Sequence, residues 1–492
     1  MFVFRDDEMA DAEPAPRRPT GRPGQDKRDL TTGPITRTLI AFALPTLGSN
    51  MLQSLNGSVN AIWVGRILGE SALAATSNAN LILFLMLAAV IGFGVAATIL
   101  IGQSFGRRDV DAVRRIFGTS AGLFLGFSLL IAVVGYVETP ALLHALATPA
   151  EAMPLALAYL RVIFLSMPAM FIATLLSMSL RGTGDAVTPL IWMAVSVVLD
   201  IGLNPVLILG LGPFPAMGIA GSALATAFAS YATMIGMLVH VYVRDMPIRL
   251  KGAELRYLIP DPALIRVIVS KGVPMMVQMF VLAFSALIMI GLINREGVVT
   301  TAAYGVTSTL WTYISMPAMA VGTAVSAMVA QNIGANRWDR VAQITRSGVV
   351  FSLIVTTSMV VLLALVDSYA LGLFLAPDSP AMPVARHIQL LATWSFIMFG
   401  VTFVLFGTMR ANGVVWPAVI ILVVATIPLR LGIALLLHPM LGADAIWLSF
   451  PASSLVTLIL TLAYYRYGGW REARIAVPPA PHPAPEGLQP SP

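Results

Sequence analysis

Apolar stretches of about 20 residues alternate with short polar segments along the whole chain, which is the pattern of a protein that crosses a membrane many times. Twelve such stretches can be counted in the 492 residues. Each is long enough for one helical crossing, so the pattern predicts an all-α integral membrane protein with twelve transmembrane helices. They lie near 38–62, 74–101, 116–137, 157–180, 188–210, 218–242, 268–292, 300–330, 346–367, 386–409, 415–436 and 444–466.

Composition supports this interpretation. Hydrophobic residues make up 57% of the chain and charged residues only 11%, which excludes an ordinary soluble globular protein. With no cysteine and five scattered histidines, the chain offers neither disulfides nor a thiolate or histidine metal site. The net charge of +6 comes from basic residues between the apolar stretches, where membrane topology explains them better than nucleic-acid binding.

The distribution of basic residues predicts the orientation of the protein. If the twelve spans are correct, 25 of the 30 basic residues lie on one side of the membrane. Arg66, Arg161, Arg295 and Arg386 lie opposite, and Arg430 falls within a span. Because positive loops stay in the cytoplasm, both termini are expected there, in a multi-pass protein of the bacterial inner membrane.

Composition also divides the chain. The ends at 1–34 and 467–492 are rich in proline and polar residues, and they are predicted to be disordered cytoplasmic tails. Two lobes of six helices are predicted at 35–242 and 268–466. The basic segment 243–267 is expected to be the cytoplasmic linker between them.

The two halves of the chain resemble each other at an offset of about 228 residues. The same cytoplasmic loop occurs in both halves, as IGQSFGRRDVDAV and as VAQNIGANRWDRV. A second pair of matching segments is LRGTGDAVTP and MRANGVVWP. Six helices per repeat is an even number, so the two bundles have the same orientation and a pseudo-twofold axis along the membrane normal. A substrate cavity is expected between them.

Asp200 is the strongest candidate for function, since it lies in the middle of the apolar stretch VSVVLDIGLNPVL. A carboxylate at a helix centre costs about 2.5 to 3.5 kcal/mol on insertion, so it must face a cavity or a polar partner. Asn204 follows one turn later, and Pro205 leaves the carbonyl of Ile201 without its helical donor. Together these groups predict a pocket for a cation or proton. The alternative is a structural acid satisfied between helices.

The first predicted span carries a polar stripe on one face, which must point away from lipid. Asn60 on this stripe is expected to meet Asp200, and Asn50 and Gln53 are expected to line the substrate cavity. Amides that only brace neighbouring helices are the alternative. The stripe consists of Asn50, Gln53, Asn56 and Asn60.

In the second half, Gln278 and Met279 are assigned to the same cavity, because flexible thioethers suit a surface that accepts differently shaped apolar molecules. Ordinary packing is the alternative for any single methionine. Arg430 has no acid on its own predicted helix. It is expected to reach backbone carbonyls or the membrane interface, in a structural role.

Several motifs in a fixed order carry a family resemblance over about residues 35–466. They are ALP and GVP near the starts of spans one and seven, VNAIWVGRIL, GQSFG with its repeat AQNIG, LRGTGDAVTP, LDIGLNPVLILG and MGIAGSALAT. The chain resembles the multidrug and toxic compound extrusion (MATE) family. The resemblance implies two six-helix bundles and drug export driven by inward flow of H⁺ or Na⁺, with no enzymatic activity and no cofactor besides the coupling ion. It also adds Thr226 to the ion-binding group, although small residues every fourth position on that helix are equally typical of a packing seam.

The chain departs from the family pattern at its acidic positions. Many members have an aspartate where this chain has Asn60, and they commonly place asparagine before aspartate where this chain has Asp200 and then Asn204. Acids found in spans seven and ten of some members are also absent. Coupling through a buried acid must therefore use Asp200, with Asn204, Asn60 and Thr226 as neighbours. Whether the ion is H⁺ or Na⁺ stays open, and no other metal is expected.

These observations predict a secondary active exporter of drug-like organic compounds, with cationic amphiphiles as the expected class. Neutralising Asp200 would let the helices near Asn60 repack, with Pro45 and Pro205 as hinges. The protein is expected to contact membrane lipids and to act as a monomer. A lipid-linked oligosaccharide flippase of the same superfamily would need more cationic residues in the cavity. A membrane-embedded transferase would need paired acids or histidines at an interfacial loop.

Overall fold

The computed structural model describes residues 29–146, 148–376, 378–473 and 478, and within these residues it contains helices and turns but no strand. Two 3₁₀ turns, Gly252–Leu258 and Gly469–Arg471, and one π-helical turn, Ala425–Leu429, accompany the α-helices. The helices are α1 Ile35–Leu68, α2 Glu70–Gly106, α3 Val110–Ala145, α4 Met153–Gly182, α5 Val187–Leu209, α6 Ile219–Val243, α7 Pro262–Arg295, α8 Val298–Gly334, α9 Trp338–Leu365, α10 Asp367–Gly372, α11 Ala381–Ala392, α12 Ser395–Ala411, α13 Trp416–Val424, α14 Arg430–Leu441 and α15 Asp444–Tyr467.

The described helices provide twelve membrane crossings. Ten helical segments are long and apolar enough to span a bilayer, with α13, the π turn and α14 counted as one. An eleventh is formed by α11 and α12, which are bent by 45° relative to each other. The twelfth is α1, whose 34 residues are long enough although its polar stripe lowers its hydropathy. The prediction of an all-α, twelve-helix membrane protein is confirmed.

In the first lobe α4 packs against α2, α3 and α6, and in the second lobe α8 packs against α9, α11 and α12. In the first lobe, side chains such as Phe164 and Phe171 on α4 are fully buried against α2, α3 and α6. In the second lobe, Trp311 and Trp447 fill the corresponding position between α8, α11 and α15. Both lobes therefore bury apolar residues, and the cluster around α4 continues across the contact between the lobes to Leu264 and Ile268 on α7.

The lobes meet where α2 packs against α7 and α8. A Cβ atom on Gly92 would lie 2.8 Å from the carbonyl oxygen of Gly272, and one on Gly102 would lie 3.1 Å from Cβ of Ala330. Only glycine allows the backbones to approach this closely. The contacts lie towards the side where α1 and α7 begin and α2, α4, α6, α8, α12 and α15 end, which we call the terminal face.

The internal repeat extends to unusual backbone conformations at the terminal face. Arg108, after α2, and Asn336, after α8, have φ values of 63° and 57° and are 228 residues apart. Gly184 and Gly413 have φ values of 91° and 77° at the next pair of turns. Left-handed conformations are uncommon for residues other than glycine, so these paired positions support the repeat predicted from the motifs.

The structure corrects the predicted tails where it describes them. Residues 29–34 lie inside the region 1–34 predicted to be disordered, yet Leu30 and Thr31 are 3% and 7% exposed. Likewise, Trp470 is 1% exposed, and Nδ2 of Asn412 donates to its carbonyl oxygen at 2.6 Å. Apolar burial orders these two segments despite their polar surroundings. The predictions for 1–28, 474–477 and 479–492 lie outside the described residues.

The linker between the lobes is shorter than predicted and is docked on α3. The first residues of α7, from Pro262, belong to the segment that was assigned to the linker. Arg114 on α3 forms an ion pair with Glu254 at 2.6 Å, and the hydroxyl of Tyr257 donates to Asp111 at 2.9 Å. At the start of the linker, the hydrogen bond from Lys251 holds the pKa of the Asp245 carboxyl below its usual range.

Candidate ion-coupling site

Asp200 lies in the interior of the first lobe, at the middle of α5. It follows Val187, the first residue of α5, by 13 residues, which places it about 20 Å along the helix from the terminal face. Its side chain is only 2% exposed. No described side chain forms an ion pair with it. The structure therefore holds a carboxyl group at mid-membrane depth without a basic partner.

Three helices supply hydrogen-bond donors to this carboxyl group. Nδ2 of Asn56 on α1 donates to Oδ2 at 2.8 Å. The hydroxyl of Thr226 on α6 donates to Oδ1 at 3.1 Å, and Nδ2 of Asn204, one turn further along α5, lies 3.2 Å from the same oxygen. Charge-assisted hydrogen bonds of this kind satisfy an ionised carboxylate in a dry environment. This geometry fits the ionised form of Asp200.

Two oxygens beside the carboxylate have no hydrogen-bond partner. Oδ1 of Asn56 and Oδ1 of Asn204 are both buried and unpaired, although the nitrogens of the same amides donate to Asp200. An unpaired buried acceptor costs about 1 to 3 kcal/mol. Carboxylate and amide oxygens are the ligands that hard cations prefer, so this donor set fits a small cation as well as a proton.

The site residues predicted from the sequence are only partly brought together. Asn204 and Thr226 donate hydrogen bonds to Asp200, but Asn60 forms none with it, and the amide of α1 that bonds to the carboxyl group is Asn56. The amide oxygen of Asn60 instead accepts from the hydroxyl of Ser222 at 2.9 Å, so Asn60 connects α1 to α6 one turn away from the carboxyl group. The ion-binding role of these residues stays a prediction.

Asn56 and Tyr159 are the neighbours that the site prediction omitted. Asn56 belongs to the polar stripe of α1 and lies one turn before Asn60, so the stripe was the signal that could have identified it. Tyr159 on α4 is 3% exposed, and its hydroxyl lies beside Asn60. A single tyrosine in an apolar helix gives no comparable signal in the sequence.

The four residues assigned to the substrate cavity differ in accessibility. Gln53 is exposed, and Asn50 and Met279 are half-buried, which is compatible with the assignment. Gln278 is 7% exposed and therefore offers little surface to a substrate in this conformation. Gln278 lies on the face of α7 that is buried in the protein, and the sequence did not indicate which face that would be.

Both predicted hinge prolines lie inside continuous helices. Pro45 removes the hydrogen bond to the carbonyl of Ala41, and nearby hydroxyls bind other carbonyls of the same turns. The hydroxyl of Thr46 donates to Phe42 at 2.9 Å, and that of Ser49 donates to Pro45 at 3.0 Å. Pro205 lies one residue after Asn204 in α5. The hinge role stays a prediction.

A second constellation joins the lobes at the terminal face, and it follows the repeat. Nε2 of Gln103 on α2 donates to the carbonyl of Ala411 in the second lobe at 2.7 Å. Its repeat partner Gln331 on α8 donates to the carbonyl of Gly182 in the first lobe at 3.0 Å. Both glutamines are buried. These reciprocal hydrogen bonds, which we call the glutamine clamp, hold the terminal face closed.

The ordered segment before α1 lies directly on this clamp. The amide of Leu30 donates to Oε1 of Gln331 at 3.0 Å, and Nδ2 of Asn332 donates to the carbonyl of Leu30 at 3.1 Å. Arg337 donates to the carbonyl of Thr31 at 2.8 Å. The segment therefore connects the first helix of the first lobe to the end of α8 in the second lobe.

Sequence comparison finds the same repeat. A model of the MatE family matches residues 45–206 and 274–436, and the second match begins 229 residues after the first. The chain is 34% identical over 443 residues to the probable multidrug resistance protein YoeA of Bacillus subtilis, covering 90% of this chain and 95% of that protein. It is 28% identical over 449 residues to the probable multidrug resistance protein YpnP of the same organism, covering 91% and 98%.

Solved structures with the same fold include a MATE protein crystallised in the straight conformation. It superimposes with a TM-score of 0.82 at 19% identity, covering 91% of this chain and 99% of that one. A multidrug resistance MATE family transporter in an outward-facing conformation also matches with a TM-score of 0.82, at 19% identity, covering 90% and 98%. From the family match, the relatives and the shared fold together, we conclude that this chain is a member of the MATE family of membrane transporters, which are not enzymes.

Proposed function

We propose that the protein is a secondary active multidrug exporter that couples efflux of cationic amphiphilic compounds to inward movement of H⁺ or Na⁺ through Asp200. The observation that carries this proposal is the buried carboxyl group of Asp200 at mid-membrane depth. It has no ion-pair partner among the described residues and accepts hydrogen bonds from α1, α5 and α6. Intramembrane ionisable groups of this kind mark ion pathways by default. The names of the two Bacillus subtilis relatives support the export of drugs.

Ion uptake would act first on the contact between Asp200 and Asn56. Protonation of Oδ2 would convert one of its lone pairs into an O–H donor and would weaken the hydrogen bond that it accepts from Asn56. A bound Na⁺ would instead require the unpaired oxygens of Asn56 and Asn204 to turn towards the ion. In both cases ion binding changes the hydrogen bond between Asn56 on α1 and Asp200 on α5, so the preferred position of α1 changes when the ion binds.

Alternating access then requires the glutamine clamp to open and close. The terminal face carries most of the basic residues, so we assign it to the cytoplasm and place the protein in the bacterial inner membrane, as a monomer. The structure has the clamp closed, so the compound leaves on the opposite side in this state. Opening the clamp would admit the next compound from the cytoplasm or the inner leaflet.

Transport in proteoliposomes tests the proposal. Vesicles are loaded with the fluorescent cation rhodamine 123, and a pH gradient or a Na⁺ gradient is imposed separately. One gradient is expected to accelerate dye movement, and the ionophore that collapses that gradient should abolish the effect. Dye movement that ignores both gradients, or that requires ATP, would contradict the proposal.

Exchanging Asp200 and Asn204 is expected to preserve part of the transport. In the double variant Asp200→Asn with Asn204→Asp, the carboxyl group moves one turn along α5 but stays in the same buried pocket, because the two side chains are now 3.2 Å apart. Asn204→Asp alone places two acids in contact and should impair coupling. Initial rates of gradient-driven efflux should rank the double variant above Asp200→Asn, and equal loss in both would contradict this expectation.

A further inference from the structure

Arg430 is a half-buried base in the second lobe that the proposed mechanism does not use. It begins α14, directly after the π-helical turn Ala425–Leu429, in the segment Trp416–Leu441 that crosses the membrane. It follows Trp416 by 14 residues, which places it about 20 Å from the terminal face, nearly the depth of Asp200 in the first lobe. π turns inside transmembrane helices occur frequently at functional sites.

The side chain of Arg430 is held at one edge only. Its Nε donates to the hydroxyl of Ser453 on α15 at 2.9 Å, and Ser453 is fully buried. The guanidinium carbon lies 4.7 Å above the centre of the Phe450 ring. The expectation that Arg430 reaches backbone carbonyls or the interface is therefore wrong. Ser453 and Phe450 hold the stem and one face of the guanidinium, but they leave its terminal nitrogens without an acceptor among the described residues.

No acid among the described residues forms an ion pair with Arg430. In the part of the second lobe that the structure describes, acidic residues lie at helix ends and in connecting turns, and none lies between the ends of a membrane-crossing segment. Besides Ser453, the hydroxyl of Tyr304 on α8 interacts electrostatically with Arg430. A charged group at this depth faces a water-filled cavity or the interior of the bundle. Arg430 is half-buried, and its terminal nitrogens are not among the fully buried unpaired atoms, so they remain accessible.

Aromatic side chains surround this position. Trp311 lies 5.4 Å from Phe450 and 5.9 Å from Tyr304, measured between ring centres. Nε1 of Trp311 donates to Thr393, and one turn before Thr393 the buried Nε2 of Gln389 has no acceptor. The region therefore offers unpaired guanidinium nitrogens beside a group of apolar rings.

We propose that Arg430 and the aromatic side chains around it form a subsite for the anionic group, a carboxylate or a phosphate, of an amphiphilic substrate. A planar guanidinium with two free nitrogens matches the geometry of these oxyanions, and the rings would hold the apolar part of the same molecule. This inference rests on the proposed function and narrows the substrate class. Because the proposed substrates are cationic amphiphiles, an added anionic group makes a zwitterion the expected substrate.

A pair of dyes that differ by one negative charge tests the subsite. Rhodamine 110 carries a free carboxylate, and rhodamine 123 is its methyl ester. Binding of both dyes to purified protein in phosphatidylcholine nanodiscs is measured by fluorescence anisotropy, and transport is measured in proteoliposomes. Arg430→Gln is expected to weaken binding of rhodamine 110 about tenfold or more, because it removes a charge-assisted hydrogen-bond pair. Binding of rhodamine 123 should change less than about twofold.

Two further variants test whether the loss of rhodamine 110 binding in Arg430→Gln is specific to the charge at this position. Arg430→Lys keeps the charge and should retain part of the preference for rhodamine 110. Arg295→Gln, at the exposed end of α7, removes an arginine of the same lobe and should leave both dyes unaffected. Equal weakening of both dyes by Arg430→Gln, or no change in either, would overturn the subsite. Binding is measured without transport, so it still tests the subsite if neither ion gradient drives rhodamine 123.

The source of the oxyanion is distinguished in the same assay. Replacing part of the phosphatidylcholine with phosphatidylglycerol adds anionic lipid headgroups. If these compete with rhodamine 110 in the wild-type protein but not in Arg430→Gln, the subsite takes the phosphate of a lipid. If they do not compete, it takes the carboxylate of the dye. In both cases the support for the anion subsite is the weaker binding of rhodamine 110 by Arg430→Gln, and the competition identifies only the source of the oxyanion.

Discussion

Replacing Asp200 with asparagine is expected to reduce gradient-driven dye efflux to the leak rate of protein-free vesicles, while the protein still inserts and folds. The asparagine side chain has the same size and can keep hydrogen bonds with Asn56 and Thr226, so the packing around α5 should survive. It cannot take up a proton or provide a charge for Na⁺. The measurement is the initial rate of rhodamine 123 efflux under each gradient, together with the gel-filtration profile of the purified variant.

The matched control for this prediction is Asp444→Asn. Asp444 begins α15, is partly exposed, and pairs with His387 at 2.8 Å on the side opposite the terminal face. Exposed ion pairs contribute little to stability, so this variant should transport as the wild type does. Unchanged, gradient-dependent efflux in Asp200→Asn would remove Asp200 from the mechanism and leave only the family membership.

The number and order of the membrane crossings could be predicted because each crossing is a continuous apolar stretch of about 20 residues. The apolar stretch around 116–137 predicts α3 even though the helix extends from Val110 to Ala145. Helix ends were less accurate, since hydropathy marks the lipid core and not the last hydrogen-bonded turn. The segment at Leu30 escaped prediction for a different reason: its burial depends on Gln331 and Asn332, about 300 residues away.

The sequence predicted the residues of α5 in the candidate site, but not which residue of α1 contacts them. Asp200 is evident from its apolar surroundings, and Asn204 follows from helical spacing. Which amide of α1 contacts the carboxyl group depends on the rotation and vertical position of α1 against α5, and these are set by packing. The polar stripe contains both Asn56 and Asn60 one turn apart, so the sequence identified the face but not the residue. Arg430 was assigned a structural role because its partners, Ser453 and Phe450, lie on another helix.

The closed terminal face depends on two glycines as well as on the glutamine clamp. A Cβ atom on Gly334 of α8 would lie 2.0 Å from the carbonyl oxygen of Gln103, and one on Gly106 of α2 would lie 2.0 Å from that of Gln331. The atoms in the way belong to the backbone, which cannot rotate aside as a flexible side chain can. The two helices must therefore separate to accept even one methyl group, and separation also breaks the reciprocal glutamine hydrogen bonds.

Gly334→Ala is accordingly expected to shift the protein towards a conformation with an open terminal face and to slow efflux about tenfold or more, because each 1.4 kcal/mol lost by the closed state changes its population tenfold. The chain has no cysteine, so spin labels can be attached at Val110→Cys and Gln343→Cys, which are exposed on the two lobes. Pulsed electron paramagnetic resonance should show a longer mean distance between the two spin labels in Gly334→Ala than in the protein with Gly334. Gly126→Ala on α3, where an added Cβ meets no atom within 4 Å, is the control and should leave distance and efflux unchanged. Wild-type distances and wild-type efflux in Gly334→Ala would show that closing the terminal face does not require this contact.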